Sequence, residues 1–229
     1  MSRTPFAPLF DRLVDDAAVF PPGLAPLDVA VREHLDRRTG PYAVHIGPLL
    51  VPAASAGELA AFAATDPRTA QAPLEVSLVV RPGSPARPLV DALASLRDDE
   101  RVLVTAAELG WSPEWRQVLD AVVLHGLPFK LTGGLHHAVR GNHGGEPMHG
   151  LLNVLLATHE ALGGTEAHDL AGILARHHAE VLVTAVSSLS TGDAEQVRES
   201  FTAYGCCGVL DPLTELEALG LITTEESHA

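Results

Sequence analysis

Lys130 is the only lysine in 229 residues, against 14 arginines. Lysine is ordinarily among the commonest residues, so a chain that has turned nearly every other cation into arginine has kept one amine. An arginine stays protonated in a protein, whereas a lysine amine can be desolvated, neutralised and used as a nucleophile or base. Drift in an arginine-rich chain is the competing explanation. The position of the residue argues against it, because Leu127-Pro128-Phe129-Lys130-Leu131 is an apolar run that passes directly into Thr132-Gly133-Gly134. That is how a buried parallel strand meets a loop. In parallel α/β proteins, ligand sites lie at the carboxyl ends of the strands.

Histidine supplies the second chemical signal. His136, His137, His143 and His149 follow Lys130 within a short Gly-rich segment that also holds Arg140, Asn142 and Glu146. Imidazoles serve equally as general acids and bases and as metal ligands. A helix expected from Pro147 to about Leu162 places His149 and Asn153 four residues apart on one face. The free N–H groups of its first turn favour an anionic ligand group. The candidate catalytic set is therefore Lys130, His136 and His137, with Arg140, His149, Asn153, Thr132 and His45 as substrate-binding candidates.

These residues need elements to hold them. Phe6, Leu9, Phe10 and Leu13 recur at helical spacing, which predicts a helix over residues 5–16. Asp15 and Asp16 then read as a charge pair on a solvated helix end, or alternatively as carboxylates for a metal or a base. A second helix is expected over 27–38. Residues 42–51 read as a strand in which His45 points away from Val44 and Ile46, either into a barrel interior or as a satisfied core histidine. Ser55 and Glu58 have the capping-box spacing for a helix over 55–64. Residues 74–80 form the next expected strand, with Glu75 either a site acid or a strand-start carboxylate. Further helices are expected over 85–97 and from Ser112, with a strand over 101–105 between them. Beyond the histidines, residues 170–175 are ambiguous. Residues 180–186 read as a valine-rich strand, 193–204 as a helix, 205–210 as a last strand carrying Cys206 and Cys207, and Asp211-Pro212 opens a closing helix.

Alternating strands and helices with short connectors imply parallel β/α units in one domain over residues 1–222, with a polar tail at 223–229. The expected fold is α/β, a (β/α)8-type TIM-like barrel with an irregular or incomplete unit; the alternative is a doubly wound open sheet. No G-x-G-x-x-G or Walker loop supports the latter. A formal net charge of −14 disfavours nucleic acid and anionic membranes as partners. The N-terminus lacks a signal-peptide h-region and no apolar run reaches membrane-spanning length, so a cytoplasmic location is expected. Two adjacent cysteines make a poor disulfide and are expected to stay reduced, most simply as small core thiols.

Phe129-Lys130-Leu131-Thr132-Gly133 resembles the strand end of class I, Schiff-base aldolase barrels of the deoxyribose-phosphate aldolase kind. That resemblance implies a lysine nucleophile forming an iminium with a carbonyl substrate and no cofactor. Such aldolases use a second lysine, which this chain lacks, so His136 or His137 would carry the proton transfers. A likeness to metal-dependent hydrolase barrels implies instead a divalent metal such as zinc on His136, His137 and His149, with Lys130 as a carbamylated ligand. The set Phe20-Pro21-Pro22, Phe129-Lys130-x-Thr132-x-Gly134-Leu135-His136-His137 and His149-Gly150-x-Leu152-Asn153 is also similar to a group of uncharacterised bacterial proteins, which implies no activity. The expectation carried forward is a barrel enzyme performing lyase or aldolase-type carbonyl chemistry on a small polar metabolite, with a metal-dependent hydrolase and a non-catalytic small-anion-binding barrel as alternatives. Homo-oligomerisation is left open.

Overall fold

A computed structural model of the chain describes residues 4–72, 74–79, 103–105, 128–132 and 135–224. The expected helices over 85–97 and from Ser112, and the glycines Gly133 and Gly134, lie outside these residues.

The sheet is built from β1 (Val14–Asp16), β2 (Ile46–Pro52), β3 (Val76–Val79), β4 (Leu103–Thr105), β5 (Phe129–Thr132) and β8 (Phe201–Cys206). All of its pairings are parallel, in the order β4-β3-β2-β1-β8-β5. From β1 to β4 each strand adjoins the next in sequence, and on its other side β1 pairs with β8, which pairs with β5. Among the described residues β4 and β5 do not pair. A separate hairpin, β6 (Gly141–His143) with β7 (Glu146–Met148), follows β5. The helices are α1 (Leu27–Arg37), α2 (Ala56–Thr65), α3 (Pro67–Gln71), α4 (Leu151–Leu162), α5 (Ala167–Leu174), α6 (Ala179–Ser187), α7 (Thr191–Ser200) and α8 (Leu210–Ala218). None among the described residues is long and apolar enough to cross a membrane.

Register and burial define two unlike faces. Paired residues of adjacent strands share a face and successive residues alternate. Val14, Asp16, Ile46, Leu49, Val51, Val76, Leu78, Leu131, Tyr204 and Cys206 therefore point one way. Their apolar members form the cores against the helices: Val14, Leu131 and Tyr204 with Leu155, Leu182 and Val197, and Leu49, Val51 and Leu78 with Val31, Leu35 and Leu59. Asp15, Leu50, Ser77, Lys130, Thr132, Ala203 and Gly205 point the other way. That face carries Asp15, Ser77, Lys130 and Thr132 together with the small Ala203 and Gly205, and Leu50.

Several expected elements are corrected. Residues 5–16 are not one helix: a 3-10 turn, Ala7–Phe10, leads into β1. The helical spacing of Phe6, Leu9 and Phe10 reflects burial of that turn against α7, not a continuing helix. The valine-rich segment expected as a strand is α6; its Leu182 and Val186 are buried and Val181 is exposed, a helical face that overrides β propensity. Residues 201–204 belong to β8 rather than to the preceding helix, so the last strand starts earlier and ends at Cys206. Pro147 lies in β7 and the following helix begins at Leu151. Ser55 is at the N-cap of α2 but its side chain makes no capping bond, whereas Ser190 and Asp193 form a complete capping box on α7.

Candidate functional site

Lys130 is the second residue of β5, deeper in the sheet than a strand end. Its Nζ makes an ion pair with the Asp15 carboxylate, with side-chain exposures of 13% and 1%. Asp15 comes from the centre of β1, two strands away, and is brought close by the register: Lys130 pairs with Ala203 of β8, and Gly205 of the same strand pairs with Asp15 on one side and Thr132 on the other. The residues between the two charged side chains are thus alanine and glycine. A β-carbon at Gly47 would overlap Asp15 Oδ1, so β2 also leaves room for the carboxylate. Burial pushes the Asp15 carboxyl up to about 6, against the opposing pull of Lys130 and, more weakly, Arg12 and Arg198. No other hydrogen-bond partner of the Asp15 oxygens or Lys130 Nζ is found among the described residues. A carboxyl near neutrality beside an amine is an arrangement that can pass a proton in either direction.

The reading of Asp15 and Asp16 as solvated helix-end charges is overturned. Asp16 is 0% exposed on the helix-covered face, where Oδ2 accepts from His34 Nδ1 at 3.1 Å and Arg37 Nη1 at 2.8 Å, and Oδ1 accepts from Ala18 N at 3.2 Å. His34 and Arg37 hold its carboxyl below the usual aspartate range despite burial. Asp16 thus anchors α1 to the sheet, and neighbouring residues on one three-residue strand do different work on opposite faces. Glu75 is the blander of its two alternatives, a strand-start carboxylate paired with Arg12.

His45 does not reach the polar face. It ends a 3-10 turn, Ala43–His45, at the amino end of β2 and its Nδ1 donates to Phe10 O at 3.0 Å, bracing the N-terminal segment. Asn153 directs its side-chain hydrogen bonds to the backbone of the protein. It is fully buried in α4; its Oδ1 accepts from Arg140 N at 3.0 Å, and its Nδ2 donates to Ile173 O at 2.9 Å and Arg176 O at 2.7 Å. His149 precedes α4 instead of sharing its face with Asn153, and its Nδ1 accepts from Arg140 Nη1 at 3.2 Å. Burial and that guanidinium keep His149 below the usual histidine range.

The remaining histidines divide between two clusters. His137 Nδ1 donates to Glu215 Oε1 at 2.7 Å, Ala138 N donates to Glu215 Oε2 at 2.6 Å, and the His143 ring stacks on His137 with centroids 3.3 Å apart and planes 7° from parallel. His136 sits between the two thiols at the end of β8: Cys206 Sγ lies 3.5 Å from Nδ1 and Cys207 Sγ 3.7 Å from Nε2, with Asp211 Oδ2 3.8 Å from Nδ1. His136, His137 and His149 are therefore each engaged with different partners. Among the described residues no group of three or more His, Cys, Asp or Glu side chains is arranged to hold a metal ion.

Sequence reasoning missed Asp15 as the partner of Lys130, and missed Glu215 and Asp211 behind the histidines. Each meets its partner only through tertiary structure, and none has a local spacing signal. No protein-family model, curated protein or solved structure matches this chain.

Proposed function

We propose that this protein is an enzyme of incomplete β/α-barrel architecture that performs lyase or aldolase-type chemistry on a small polar carbonyl metabolite through Lys130, with Asp15 as its proton partner. The barrel reading draws on the all-parallel sheet in which β1 lies between β2 and β8, with the doubly wound open sheet as the second reading. The functional reading is carried by one observation, the buried Lys130–Asp15 pair, with Ala203 and Gly205 on the strand between the two side chains. The chemistry balances without a cofactor. The ammonium gives a proton to Asp15, and the neutral amine adds to the carbonyl carbon. Asp15 returns the proton to the departing hydroxyl, and water and a protonated iminium result. The iminium then draws electrons from the Cα–Cβ bond, which breaks as the Asp15 carboxylate takes the β-hydroxyl proton, leaving an enamine and an aldehyde. Asp15 returns that proton to the enamine carbon, and water hydrolyses the iminium to release the second carbonyl product and the amine. Asp15 takes the place that the resemblance to Schiff-base aldolases had assigned to His136 or His137.

Borohydride reduction in the presence of a panel of aldehydes and 2-keto acids tests this. The expected result is a stable adduct on the peptide containing Lys130, absent from Lys130→Arg and formed about 100-fold more slowly by Asp15→Asn. No adduct with any carbonyl, or adducts at the terminal amine alone, would refute it.

A further inference from the structure

Beyond Lys130, the carboxyl end of the sheet holds a second reactive group. Cys207 is the first residue after β8, His136 lies on the segment leaving β5, and Asp211 is in the first turn of α8. Loops at the carboxyl ends of parallel strands are where α/β proteins place ligand sites. The hydrogen bonds around His136 determine which nitrogen carries the proton. Cys206 is buried and its S–H donates to Gly208 O at 3.3 Å, so its sulfur faces His136 Nδ1 as an acceptor. Asp211 Oδ2 stands on the same side of the ring. Both favour the Nδ1–H tautomer, which leaves the Nε2 lone pair directed at the half-buried Cys207 thiol 3.7 Å away. Nucleophile, base and a carboxylate behind the base form the constellation used for covalent acyl transfer.

We propose that Cys207 is a nucleophilic thiol, with His136 as its base and Asp211 as the positioning carboxylate, that takes acyl groups from activated esters or thioesters. In the step, the Cys207 S–H proton passes to His136 Nε2 and sulfur bonds to the acyl carbon. The bond from that carbon to the leaving oxygen or sulfur breaks, and His136 returns the proton to the leaving group. Cys206 is not the nucleophile: it is buried with its S–H donated to Gly208 O, and burial pushes its thiol up to about 12.

The test uses the full chain and two probes. Iodoacetamide with peptide mapping is expected to alkylate Cys207 and spare Cys206 in the native protein. His136→Gln should slow alkylation of Cys207 at neutral pH at least 10-fold. Asp211→Asn, at a side chain 60% exposed where folding is not at stake, should slow it about 3-fold. With p-nitrophenyl acetate the wild type should gain one acetyl group removable by neutral hydroxylamine, the mark of a thioester, and Cys207→Ser should gain none. The proposal is overturned if neither variant changes the alkylation rate of Cys207, or if the acetyl group resists hydroxylamine. None of these readouts involves Lys130, so they stand or fall separately from the carbonyl chemistry.

Discussion

Replacing Lys130 by methionine should produce a stability defect that grows with pH. The Asp15 carboxyl is raised from 3.8 to about 6 even with Lys130 beside it, which corresponds to about 3 kcal/mol of cost for ionising it in the folded state. The sign follows from the direction of the shift. A folded-state value above the unfolded one means that the native protein holds the proton more tightly, so Asp15 favours folding most below the unfolded value, and that advantage is lost as pH rises toward 6. Without the ammonium the carboxyl moves higher still, and the loss extends past neutrality. Removing one partner of a buried pair typically costs about 3–5 kcal/mol. Lys130→Met should therefore unfold at roughly 1.5 M less urea than wild type near pH 8, and the gap should narrow by at least half near pH 5 as Asp15 takes up a proton. Asp15→Leu combined with Lys130→Met should recover most of the difference, since an apolar pair of similar volume leaves no buried charge. Urea titrations followed by circular dichroism at both pH values decide the matter. A single variant as stable as wild type near pH 8, or a defect of equal size at both pH values, would refute a buried, mutually dependent pair.

Other perturbations test the framework around it. Gly47→Ala places a methyl group against Asp15 Oδ1 and should cost about 1–3 kcal/mol while slowing borohydride trapping at Lys130; trapping at the wild-type rate would show that the carboxylate does not need that space. Asp16→Asn should destabilise by about 3 kcal/mol at neutral pH by stranding buried His34. Because the Asp16 carboxyl is lowered in the fold, the stability it supplies is present above the ordinary aspartate value and lost as pH falls through its own, so the deficit in thermal unfolding should shrink below about pH 4.

The centre of the candidate site was legible in the sequence; its partner was not. Lys130 stood out by residue type and by the apolar run around it, both local properties. Asp15 was misread because a three-residue strand offers too few positions for alternation to show, and because Phe6, Leu9 and Phe10 imitate a helix one turn long. The histidines stood out by their density, which raised a shared metal ion as an alternative. In the fold, Glu215 takes His137, Arg140 takes His149, and the Cys206–Cys207 pair takes His136. Parallel β/α architecture was readable from the alternation of elements. The closing third was not, because residues 181–186 have strand-like composition yet bury one side of a helix.

The position of β1 also bears on how the chain is made. Its two sheet neighbours are β2 and β8, and β8 ends at Cys206, so during synthesis β1 has one open edge until β8 has emerged from the ribosome. Long-range parallel pairing of this kind is slow to form and exposed to misassociation. An exposed strand edge is commonly protected by charge. Asp15 and Asp16 are two of the three residues of β1, so before Lys130 and Arg37 pair with them that edge carries two like charges, which disfavour its pairing with a second copy of the same strand. The pair that serves the folded interior thus also guards the unfinished chain.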